Sequence, residues 1–75
     1  MKFTTEQWEK VRKLHFQYQN AITKAPNAQR EAFTKMLDQG FGFRELGSRG
    51  GFLLKKGENH YRWIAVDGKV DGKAL

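Results

Sequence analysis

The chain has no cysteine, a single proline, a single serine and only two histidines in 75 residues. Each scarcity excludes something. Without cysteine there is no disulfide, no thiolate metal site and no thiol nucleophile. Ser48, the only serine, lies in a glycine-rich stretch with no histidine near it in sequence, so no Ser–His pair announces a nucleophilic catalyst. His15 and His60 are distant from each other, and no His/Glu cluster has metal-ligand spacing. No apolar run approaches the roughly 20 residues of a membrane span. Met1-Lys2-Phe3 leads straight into a polar segment, unlike a secretory leader. The expectation is a cytoplasmic protein without metal, cofactor or membrane partner.

Acidic residues are also few, 8 against 14 lysines and arginines, for a net charge of +6. Divided after Gly40, each half carries 7 basic and 4 acidic residues, so each half is +3. The excess therefore belongs to the folded body rather than to a tail, and it implies a field over a surface. A basic domain of this kind fits nucleic acid, DNA or RNA, or else an acidic protein. The carboxylates are scattered. Glu6, Glu9 and Glu58 read as solubilising charges, and Asp67 and Asp71 as turn residues. A chain of this length also leaves little room for a ligand pocket of some hundreds of Å³. Neither catalysis nor a small-molecule substrate is expected.

What is present is a switch of hydrophobic period near Gly40. Before it, apolar residues recur at helical spacing. Thr4 and Gln7 have the spacing of a capping box, and Phe3 and Trp8 that of a hydrophobic staple. Trp8, Val11, Leu14, His15, Tyr18, Ala21 and Ile22 then share one face, predicting a helix over about 5–24. Ala25-Pro26-Asn27 ends it. A second helix over about 27–39 follows, capped by Asn27 or opened by Pro26, with Ala28, Ala32, Phe33, Met36 and Leu37 as its apolar stripe. Gly40 stops it.

After Gly40, short aromatic-rich runs alternate with glycine turns. They predict strands over about 41–46, 52–56 and 60–66, with Lys69-Val70 as a possible fourth after the Asp67-Gly68 turn. Residues Asp71 to Leu75 are expected to fray. The fold class is thus α+β: an antiparallel helix hairpin packed on one face of a three- or four-stranded antiparallel meander, in one domain over 1–75.

Alternation places Phe41, Phe43, Phe52, Leu54, Tyr61, Trp63 and Ala65 on the face packed against the helices. The other face then carries Arg44, Leu46, Leu53, Lys55, His60, Arg62, Ile64 and Val66. Arg44, Lys55 and Arg62, one from each strand, would form a basic row able to contact phosphates, with Arg49 beside it. Otherwise the row is a solvated face whose long stems cover a few apolar side chains. A one-residue slip reverses every assignment. In the reversed register Tyr61 and Trp63 face solvent beside Phe41, Phe43 and Phe52 as a stacking platform for single strands, which leaves the helices a poor partner.

Helix 1 offers a second surface, since Lys10, Lys13, Gln17, Asn20 and Lys24 form one polar-basic stripe. Phe16 lies opposite the apolar face, flanked by Arg12 and Lys13, where an exposed aromatic suits a partner interface. The loop from Gly47 to Gly51 matches neither a Walker loop nor a dinucleotide fingerprint, and reads as a β-turn.

The leading functional expectation is a non-catalytic module that binds nucleic acid through phosphates. The alternative is a protein-interaction module, such as a small phage- or mobile-element-type inhibitor or accessory protein docking on a larger complex through Phe16, or through Leu53 and Ile64. A third is a winged-helix variant, with a short helix near Phe43–Gly47 and residues 52–66 as the wing. Monomer and homodimer are both compatible with short sheet edges that carry no obvious protection.

Overall fold

A computed structural model describes residues 2–72, with three helices and a three-stranded antiparallel sheet in the order β1-β2-β3. Of the residues expected to fray, Asp71 is instead hydrogen-bonded to the Trp63 backbone, and residues 73–75 lie outside the described residues. The helices are α1 (Thr5–Arg12), α2 (Phe16–Thr23) and α3 (Asn27–Asp38); the strands are β1 (Gly42–Leu46), β2 (Phe52–Lys56) and β3 (His60–Ile64).

The capping box forms as its spacing demands. The Gln7 backbone N–H donates to Thr4 Oγ1 at 3.1 Å, and the Thr4 N–H donates to Gln7 Oε1 at 2.9 Å. Phe3 and Trp8 close the staple with ring centroids 6.1 Å apart. Gln7 then does a second job: its amide donates to Asp38 Oδ1 at 2.9 Å, tying the start of α1 to the end of α3.

The single helix over 5–24 is instead two helices. The chain turns at residues 13–15, and the His15 ring accepts from the Gln17 N–H at 3.4 Å as the N-cap of α2. The Gln19 side chain donates to the Arg12 carbonyl at 2.6 Å, which satisfies an orphan group at the end of α1. Turning lets Val11 of α1 and Ile22 of α2 both become fully buried in one core.

Pro26, with extended backbone and no side-chain cap, is the N-cap of α3, and Asn27 is its first helical residue. The stripe of α3 is shifted slightly from expectation. Ala28 is exposed, while Gln29 is buried beside Ala32, Phe33, Met36 and Leu37. The burial of Gln29 is satisfied: its amide donates to the carbonyls of Gly50 at 2.8 Å and Ile64 at 3.3 Å, pinning α3 to the sheet. At the other end, the Gly40 N–H donates to Leu37 and the Phe41 N–H to Met36, both at 3.0 Å. That pair of bonds is a Schellman cap, and it needs the φ of +95° that Gly40 supplies.

Phe33 is the hub of the core, edge-on to Phe3, Phe43 and Phe52. The fourth strand reduces to one bridge, Ile64 with Val70. Residues beyond it protect the edge of β3. The Asp71 N–H donates to the Trp63 carbonyl at 2.8 Å, and Asp71 Oδ1 accepts from the Trp63 N–H at 3.0 Å. β1, at the opposite edge, is interrupted by a bulge at Arg44, so that Arg44 and Glu45 together stand opposite Leu53. Both edges are therefore managed, contrary to the reading of them as unprotected.

Candidate nucleic-acid interface

Residues directly paired across an antiparallel ladder share a face. Phe52 pairs with Ile64 and Leu54 with Arg62; Leu53 pairs with Trp63 and Lys55 with Tyr61. Phe52, Leu54 and Ile64 are all buried under the helices. β3 is thus reversed relative to the alternation expected from sequence, while Phe43, Phe52 and Leu54 keep their expected side. Ile64 is fully buried, and Tyr61 and Trp63 are 41% and 36% exposed on the outer face. The physical reason is fit: Ile64 fills the space beside Gln29 and Phe52 under α3, and the larger ring of Trp63 goes outward.

The indole has a prepared seat. A Cβ placed on Gly51 would come within 2.0 Å of the Trp63 ring, and one on Gly47 within 2.2 Å. The ring therefore lies directly against the backbone of the turn between β1 and β2. That turn is closed by the Gly47 N–H donating to the Gly51 carbonyl at 2.8 Å. Close approach of the indole accounts for Gly47 and Gly51, and a φ of +82° accounts for Gly50.

The outer face thus presents Trp63 and Tyr61 from β3, Leu53 and Lys55 from β2, and Arg44 with Glu45 from β1. Lys55 Nζ stands 5.6 Å from the Tyr61 ring centroid, within cation–π range. Arg49 is exposed on the turn that carries Trp63. Among the described residues, Arg44, Arg49 and Lys55 have no carboxylate partner within 4.0 Å.

Arg62 does not join them. It lies on the opposite face, near the margin of the core, with its guanidinium 5.7 Å from the Phe41 ring centroid and 3.6 Å from Asp71 Oδ2. The three-membered basic row is therefore corrected to a pair, Arg44 and Lys55, beside two aromatic rings. Simple alternation assigns Tyr61 and Trp63 to the core; the signal against it is the glycine pair flanking a turn, which leaves space for one large ring.

The other candidates are dispersed. Lys10 and Lys13 line a groove between α1 and β1 on the helix side. The break at residues 13–15 separates them from Gln17, Asn20 and Lys24, so the continuous stripe does not form. Phe16 opens α2 and is 78% exposed. The segment expected as a recognition helix is strand β1 followed by a turn, which removes the structural basis of the winged-helix reading. Among the described residues no group of His, Asp and Glu gathers at metal-binding distance, and no helix is long and apolar enough to cross a membrane.

No family model matches the chain, and neither a curated protein nor a solved structure matches it.

Proposed function

We propose that the outer sheet face binds single-stranded nucleic acid. Trp63 and Tyr61 stack on bases, and Lys55, Arg44 and Arg49 neutralise phosphates. The observation that carries this reading is the exposure of two aromatic rings on one strand beside cations that have no carboxylate partner among the described residues. Alternate residues of a strand are roughly 7 Å apart, a separation that neighbouring nucleotides of an extended single strand reach. Stacking tolerates any base, so sequence preference should be weak.

The test is fluorescence anisotropy with labelled DNA and RNA oligonucleotides at several salt concentrations. Affinity should fall linearly in log–log terms. Lys55→Ala should lower the slope by about 0.7, the value for one phosphate of a single strand left without its cation. Arg62→Ala should leave the slope unchanged, because Arg62 is off the face and engaged with Asp71. A slope lowered by Arg62→Ala and not by Lys55→Ala would contradict the proposed face, and salt-independent binding would contradict the mechanism.

One observation favours a second reading, a protein-docking role. Among the described residues Phe16 is the most exposed of the large hydrophobic side chains, and Arg12 and Lys13 near it carry no ion pair. Phe16→Asp should leave the unfolding free energy from urea titration within about 0.5 kcal/mol of the parent and oligonucleotide affinity unchanged. A protein partner that fails to bind that variant alone would place a docking function on α2.

A further inference from the structure

The break between α1 and α2 opens a groove that helical periodicity alone does not reveal. Its volume is about 330 Å³, within the size range of ligand sites. It runs between the end of α1, the end of α3 and the start of β1. Its accessible floor is apolar, formed by the half-buried side chains of Leu14 and Phe43, with the core residues Val11 and Leu37 beneath them. Among the described residues its only charged lining is Lys10 and Lys13, and no acidic side chain lines it.

Neither lysine is paired with a carboxylate among the described residues. Lys10 Nζ reaches the Leu37 carbonyl at a long 3.4 Å, which occupies one of its three donors. Lys56 adds to the local positive field, with its Nζ 5.8 Å from the centroid of Phe41, another groove residue. An apolar trough with cations at one border and no anion has the polarity of a site for an amphipathic anion.

We propose that this groove binds a monocarboxylate with an aliphatic body, the chain lying on the apolar floor and the carboxylate held by Lys10 and Lys13. The site lies on the helix side of the sheet. It is independent of the outer face and of the nucleic-acid reading.

The experiment is an amide-resolved NMR titration of the full chain with sodium decanoate, kept below its micelle threshold, with decanol, acetate and decyltrimethylammonium in parallel. Decanoate should give saturable shifts centred on the amides of Leu14, Gly40 and Gly42. Acetate lacks the body and decanol the charge, so both should bind more weakly. The double variant Lys10→Ala/Lys13→Ala changes exposed residues and should fold normally, and its affinity for decanoate should fall about tenfold. Four results would each overturn the proposal: no saturable shift at millimolar decanoate, equal binding of decyltrimethylammonium, an unaffected double variant, or a self-association that covers the same amides and resists decanoate. An oligonucleotide that shifts these amides would overturn it too, by assigning the groove to the nucleic-acid track.

Discussion

Trp63→Ala is expected to weaken binding of a single-stranded oligonucleotide by about 1–3 kcal/mol, one to two orders of magnitude in Kd. The residue is 36% exposed, with its ring seated on the turn at 47–51, so about a third of its surface is available to a ligand. Its replacement removes a stacking plane without creating a cavity in the core, where Phe33, Phe52 and Ile64 pack independently of it. Stability should therefore fall much less than affinity. Trp63→Phe keeps an aromatic plane and should recover most of the binding. Anisotropy gives the affinity, and urea unfolding of the same samples gives the stability. If Trp63→Ala lowered the urea midpoint steeply while the folded fraction bound normally, the indole would be a brace for the turn and the stacking role would fall.

Gly51→Ala should reproduce part of that defect from the other side of the ring. A methyl group at residue 51 falls within 2.0 Å of the indole, so one of the two must move. Overpacking of this kind costs about 1–3 kcal/mol. The ring is the more mobile partner, being the end of a partly exposed side chain, whereas Gly51 is buried backbone in a closed turn. The expected outcome is a destabilised protein with a displaced indole and weakened oligonucleotide binding. In a Trp8→Phe background, which leaves Trp63 as the single tryptophan, its emission should shift to the red. The decisive measurement is the double-mutant cycle. Gly51→Ala made in Trp63→Ala should cost almost nothing, because the clashing group is gone. A penalty that persists without the indole would mean that residue 51 requires glycine for its backbone, and that the seat is incidental.

Most of the secondary structure is legible in the sequence because its signals are local. The Thr4–Gln7 box, the Gly40 cap and the glycine turns at 47–51 and 57–59 act within a few residues, so chain order alone reveals them. The division of the first helix is not legible. Lys13-Leu14-His15 contains neither proline nor glycine, and the apolar period runs through it unbroken. The candidate site is legible in part. Alternation assigns Arg44 and Lys55 to the outer face, and the outer face does carry them, Arg44 exposed and Lys55 half-buried. Arg62 is assigned to the wrong face, and the Tyr61–Trp63 pair to the core, because alternation reveals which residues share a face but not which face is covered.

The amino-acid sequence by itself determined an α+β chain with a period switch at Gly40, a basic body without thiols, and strands that alternate apolar and cationic positions. Only the tertiary structure decided where α1 had to end, which side of β3 met the helices, and that two glycines made room for an indole on the open face. The reason is the range of the forces. Capping and turn chemistry are settled between neighbours in sequence, whereas the parity of a strand depends on which side chain fits beneath a helix some thirty residues away.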